Sequence, residues 1–206
     1  MQMIWAHGWA YDAGTWEKLL PYFPDQEHVL LERGYFGATP QALPDILEEN
    51  CVFVAHSFGC MWLLRHAPRA PKALITFAGF DCFHAHIAAR VLKSMQLQLR
   101  RNAEAQLQRF RVSCGDDRAL DASQLDLESL SADLKALAEW DERECFANWD
   151  IPKHCIAAEN DQITPPAMLR EIWGEQLSWH PQGHHALPLL EPEFCAREIQ
   201  ELLHAL

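Results

Sequence analysis

The sequence has no apolar run approaching the roughly 20 residues that span a bilayer, so no transmembrane helix is expected. Its opening, Met1-Gln2-Met3-Ile4-Trp5, lacks the basic stretch of a secretory signal and runs straight into strand-like sequence, which argues against a cleaved leader. Positive charge is scarce. Seventeen Lys and Arg against 29 Asp and Glu give a net charge of −12, which argues against nucleic-acid binding by phosphate neutralisation. There is no Cys-x-x-Cys, no internal repeat and no low-complexity tract. The seven cysteines (51, 60, 82, 114, 145, 155 and 195) are odd in number, scattered, and often in apolar surroundings such as Cys51-Val-Phe-Val. Free thiols in a reducing, cytoplasmic compartment are expected, rather than disulfides or a zinc knuckle.

What is present is an ordinary globular composition, 49% hydrophobic and 22% charged over 206 residues, enough for one domain with a real core. Short apolar runs alternate with longer amphipathic stretches, the pattern of βαβ units around a parallel sheet buried on both faces. Strands are expected near Met3–Ala6, His28–Glu32, Cys51–Ala55, Ala73–Phe77, His154–Ala157 and Leu177–His180. Helices are expected over Thr15–Tyr22, Gln41–Glu48, Phe58–His66, Pro166–Trp173 and Pro192–His204. Between Phe80 and Trp149 the rhythm becomes helical, with no convincing strand. A single α/β domain over residues 1–206 is therefore expected, with residues about 81–149 forming a helical lid at the ligand-binding edge of the sheet. Within that stretch, Arg90 to Arg111 holds six basic residues and one acid, so a +5 segment sits on an otherwise acidic chain.

Four segments carry chemistry. The run Cys51-Val-Phe-Val-Ala55-His56-Ser57-Phe58-Gly59 is a strand, a serine and the start of a helix. It matches the nucleophile elbow except that Ala55 stands where Gly-x-Ser-x-Gly has its first glycine. Small residues two before and two after the serine let a sharp turn close, and the helix N-terminus offers N–H groups to a developing oxyanion. Upstream, Ile4-Trp5-Ala6-His7-Gly8-Trp9 resembles the oxyanion loop of α/β-hydrolases, which makes the N–H groups of Trp9 and Phe58 the expected oxyanion donors. Asp161 follows a later strand in a polar turn and can orient an imidazole; Glu159 and Asp81 are weaker candidates. The base lies in the pair His184/His185 after the last strand, with Gly183 before it favouring His184. Neither that pair nor His84-Ala-His86 joins carboxylate or cysteine spacing into a metal site, and no metal or other cofactor is expected. The order serine, aspartate, histidine is that of the α/β-hydrolase triad.

With these residues in place, most of the chain resembles the pimeloyl-[acyl-carrier protein] methyl ester esterases of biotin synthesis. The similarity takes in His7-Gly8-Trp9, Gly34-Tyr-Phe-Gly37, the elbow, Ala73-Leu-Ile-Thr-Phe-Ala78 and Phe83. It continues through Gln106-Leu-Gln-Arg109-Phe110 to Pro192-Glu-Phe194-Cys195. The resemblance implies the α/β-hydrolase fold, with a mostly parallel sheet flanked by helices and a helical lid insertion. By likeness of His-Ala-Leu-Pro it favours His185 as base, with His184 the alternative. It also implies that arginines among Arg100, Arg101, Arg109 and Arg111 hold an acidic acyl-carrier protein, in agreement with the +5 segment. Against that family the sheet reads as truncated at the N-terminus, the lid is shorter, and Ala55 replaces a glycine. Since one scaffold carries many substrates, two other expectations stand beside the carrier-dependent serine carboxylesterase. One is a generalist short-chain acyl esterase or thioesterase with no carrier; the other is a catalytically silent binding protein.

Overall fold

Short apolar strands joined by long connections can pair in parallel, each crossover bringing the chain back to the same end of the sheet. The computed structural model, which describes residues 1–206, shows this arrangement. Six strands form one sheet: β1 (Gln2–Ala6), β2 (Glu27–Leu31), β3 (Val52–His56), β4 (Ala73–Phe77), β5 (Lys153–Ala158) and β6 (Leu177–His180). Their spatial order is β2-β1-β3-β4-β5-β6 and every pairing is parallel. The central strands β1, β3 and β4 are buried along their whole length, while the edge strands β2 and β6 are partly exposed.

The period-2 alternation of side chains divides the core into two layers. Ile4, Ala6, Phe53, Ala55, Leu74, Cys155 and Ala157 face one side, covered by α1 (Phe58–His66) and α6 (Pro166–Trp173). Met3, Trp5, Val52, Val54, Ile75, Phe77 and Ile156 face the other, where α8 (Pro192–His204) contributes Cys195, Ala196 and Ile199. A short α7 (Leu187–Leu190) precedes α8. No helix is long and apolar enough to cross a membrane.

Four helices lie between β4 and β5: α2 (Ala89–Arg101), α3 (Ala103–Ser113), α4 (Leu127–Glu139) and α5 (Arg143–Asn148). Asn102 ends α2 and caps α3, its Oδ1 accepting the Ala105 N–H at 3.0 Å, which turns the chain sharply enough for the two helices to pack. Side chains tie α4 to the sheet end. Arg33 donates to both Asp133 oxygens at 2.9 and 2.8 Å, Tyr35 donates to the same carboxylate at 2.5 Å, and the Trp9 indole N–H reaches Leu130 O at 2.9 Å.

Strand bounds shift by at most a residue or two from those expected, and three helices coincide with their expected ranges. Two helices are corrected. Gln41–Glu48 is not helical, because Pro44 in its interior removes an N–H and disfavours the helical region for Leu43. Thr15–Tyr22 is two short 3-10 turns, Ala13–Trp16 and Leu20–Tyr22, with Pro21 in the second.

Candidate active site

The buried strand β3 delivers Ser57 to the sheet end, and the turn into α1 forces it to φ +53°, ψ −122°, a conformation rare for a residue with a Cβ. Such strain persists only where packing over-determines it. A Cβ on Gly59 would lie 2.2 Å from Ala6 O, so the start of α1 passes against the end of β1 with no room for a side chain. Ala55 fills the position of the expected glycine and is wholly buried in the sheet, between Ala6 and Thr76.

His185, in the loop between β6 and α7, brings Nε2 to 2.9 Å from Ser57 Oγ and Nδ1 to 2.7 Å from Asp161 Oδ2. A carboxylate only accepts, so Nδ1 carries the proton and Nε2 is free to accept from the serine hydroxyl. Asp161 follows β5. Its Oδ1 accepts the N–H groups of Ile163 at 2.7 Å and Thr164 at 3.0 Å, and its Oδ2 accepts the Thr164 hydroxyl at 2.5 Å. Burial pushes the Asp161 carboxyl up, but His185 and the Thr164 donors outweigh it and hold the group below its ordinary value. All three side chains are buried.

The structure thus joins Ser57, Asp161 and His185. His184 makes no hydrogen bond and lies against Gly115, so the imidazole that meets the serine is that of His185. Glu159 is exposed, and Asp81, although buried, has Oδ1 without a partner. No group of three His, Cys, Asp or Glu side chains is arranged to hold a metal ion.

The Trp9 and Phe58 N–H groups donate to no atom of the chain, although both residues are buried. Sequence reasoning missed what aims the first of them. Arg33 N–H donates to His7 Nε2 at 3.2 Å, leaving the His7 proton on Nδ1, which donates to Gly8 O at 2.9 Å. That carbonyl and the Trp9 N–H belong to one planar peptide, so fixing the first directs the second the opposite way.

His56 was also missed. Its Nε2–H donates to the carbonyl of His185 at 3.0 Å, which ties the His185 backbone to the end of β3, and its Nδ1 has no partner. Burial, with His185 adding to it, pushes the His56 pKa down to about 3 from an ordinary 6.5. The unfolded chain therefore binds more protons than the folded one between these values, so stability is full above pH 6.5 and falls as pH drops towards 3. His56→Gln keeps a donor towards His185 O and removes the titration. Urea midpoints between pH 6.5 and 5 should lose a slope approaching about 1.4 kcal/mol per pH unit; an unchanged slope would assign the acid lability to other groups.

Above Ser57 lies a cavity of about 210 Å³ walled by Trp9, Phe80, Phe83, Leu92, Met95 and Phe110, with no charged residue in its lining. Trp9 and Phe110 meet edge to face at 4.9 Å, and Phe80 lies 4.8 Å from Phe83. Of the four arginines expected to bind a carrier, Arg100, Arg101 and Arg109 are exposed on α2 and α3. Arg111 is not available to a surface partner. It is buried, donates from Nε to Ala10 O at 3.0 Å, and lies between the rings of Tyr11 and Phe36.

The parallel sheet, the strained serine at a strand-to-helix turn and the later aspartate and histidine define this chain as an α/β-hydrolase in fold. The esterase from Exiguobacterium antarcticum superimposes with a TM-score of 0.81 at 14% identity, over 98% of this chain and 91% of that one. In sequence, the chain is 25% identical over 190 residues to a pimeloyl-[acyl-carrier protein] methyl ester esterase of Legionella pneumophila (strain Corby), covering 80% of this chain and 77% of the relative. It is also 25% identical to a biotin biosynthesis bifunctional protein of Cellvibrio japonicus (strain Ueda107), covering 99% of this chain. The chain spans about half of that protein's length (48%). No family model matches the chain.

Proposed function

We propose that this chain is a cytoplasmic serine carboxylesterase that cleaves the methyl ester of a dicarboxylic acyl chain carried on an acidic acyl-carrier protein, as in pimeloyl-[acyl-carrier protein] methyl ester. The observation that carries the reading is the serine–imidazole–carboxylate chain of hydrogen bonds lying beside two unpaired backbone N–H groups, beneath an apolar cavity. Ser57 Oγ attacks the ester carbonyl while His185 takes its proton, and Asp161 stabilises the imidazolium. The Trp9 and Phe58 N–H groups receive the oxyanion. His185 then protonates the departing methanol, and a water activated by the same ring releases the acid.

The cavity supports a neutral ester rather than a free carboxylate, since no cation lines it. Residues about 81–149 serve as the lid. The helices α2 and α3 turn Leu92, Met95 and Phe110 to the cavity and expose Lys93, Arg100, Arg101 and Arg109 outside. An acidic carrier would be steered to that face, and the relatives named for pimeloyl-carrier esterases favour this partner.

The test is the triple charge reversal Arg100→Glu/Arg101→Glu/Arg109→Glu. Turnover of the carrier-bound methyl ester should fall at least about tenfold in kcat/KM, equivalent to about 1.4 kcal/mol, while a small free methyl ester is cleaved as before. Equal rates on both substrates would leave a generalist esterase or thioesterase. No turnover and no fluorophosphonate labelling of Ser57 would leave a silent binding protein.

A further inference from the structure

A second and larger cavity, about 560 Å³, lies on the other side of α3, walled in part by Tyr11, Thr15, Phe36, Arg111 and Arg118. We propose that it binds a compact oxyanion, the carboxylate or phosphate group of a small molecule, on the guanidinium of Arg111. The proposal is independent of the chemistry at Ser57.

The reason is a guanidinium with no carboxylate paired to it. Arg111 is 8% exposed, yet no carboxylate of the chain lies within salt-bridge distance of it. Its single hydrogen bond is Nε to Ala10 O, which leaves both terminal nitrogens without an acceptor. Asp116, close enough to feel its charge, is fully buried and gives both oxygens to Arg118 at 2.7 and 2.9 Å rather than to Arg111. The terminal nitrogens of Arg111 keep contact with solvent in the cavity, and the aromatic rings of Tyr11 and Phe36, at 5.0 and 4.9 Å, hold the group in place.

Held in this way the guanidinium is a preorganised fork, the geometry that takes two oxygens of a carboxylate or phosphate. Tyr11 and Thr15 stand in the same wall, but their hydroxyls are closed off from the cavity, that of Tyr11 beside the Cys114 thiol, so the guanidinium is the group that meets a ligand. The remaining lining sets the size of the ligand's charge. Asp12, Glu17 and Asp121 also border the cavity and would repel an extended polyanion such as a nucleoside triphosphate. With three carboxylates on the rim, only an anion small enough to sit on the guanidinium itself avoids them. Counting basic residues along the sequence cannot reveal such a site, because it depends on which of them has lost its counter-ion.

Calorimetric titration of the whole chain in chloride buffer, with inorganic phosphate in one arm and acetate in the other, tests the assignment. Saturable binding of at least one anion is expected. It should weaken at least about tenfold, or about 1.4 kcal/mol, in Arg111→Met and persist unchanged in Ser57→Ala. Melting should agree, the anion raising the Tm of the wild type and not that of Arg111→Met. Phosphate alone binding points to a phosphate monoester, acetate alone to a carboxylate metabolite. Should Arg111→Met fail to fold, Arg111→Lys keeps the charge without the planar fork and should bind several-fold more weakly. No saturable heat with either anion at millimolar concentration, or equal binding by wild type and variants, overturns the proposal. Because Ser57→Ala separates the two sites, loss of esterase activity and loss of anion binding cannot be confused.

Discussion

Ser57→Ala should lower ester turnover by about 10⁵–10⁶-fold, His185→Ala should lower it comparably, and the double variant should be no worse than either alone. The non-additivity is the informative part. In the proposed function the hydroxyl and the imidazole, 2.9 Å apart, work as one proton-transfer unit, so once either is gone the other has nothing to do. What survives is the oxyanion site and the cavity, which lend a residual acceleration without a nucleophile. The fold should tolerate both changes. Alanine at Ser57 adopts φ +53° no less readily than serine, and neither side chain is part of the large apolar layers. Steady-state rates on a methyl ester, with circular dichroism to verify folding, decide the matter. A double variant clearly slower than both singles would mean that serine and histidine act in separate steps.

The architecture was readable because it rests on local signals. Strands buried on both faces are short apolar runs, and Ser57, Asp161 and His185 each follow such a run in chain order. Other features depend on partners that no local window contains. The choice of His185 over His184 is made by Asp161 and Ser57, which approach from other strands. His7 owes its tautomer to a backbone N–H some 26 residues away. Arg111 is a different kind of failure. It was grouped with Arg109 by charge, but two positions along a helix rotate the side chain by about 200°, so a pair with one member facing solvent has the other facing the protein. Periodicity could have separated them; a tally of charge could not. The helix expected at Gln41–Glu48 overlooked Pro44 in its interior, a residue that local reading can weigh.

Asp161→Asn should lower kcat by about 10⁴-fold with little change in fold, and the geometry around the carboxylate says why the amide will not rescue it. An asparagine can present either its oxygen or its NH₂ to His185. Here the choice is already made, because Ile163 and Thr164 aim two backbone N–H groups at the Oδ1 position. The amide oxygen must sit there, which places the NH₂ at the Oδ2 position facing His185 Nδ1. A donor meeting Nδ1 draws the ring into the tautomer with its proton on Nε2. That nitrogen then points an N–H at Ser57 Oγ and can no longer accept its proton. The Thr164 hydroxyl, which donates to Oδ2 in the wild type, rotates to accept from the new NH₂ and reinforces the arrangement. ¹⁵N shifts of His185 should therefore report a neutral Nε2–H ring in the variant and Nδ1–H in the wild type. An Asp161→Asn enzyme that keeps most of its rate with Nδ1 still protonated would show that another group orients the base, Glu159 and Asp81 being the other candidate acids the sequence offers.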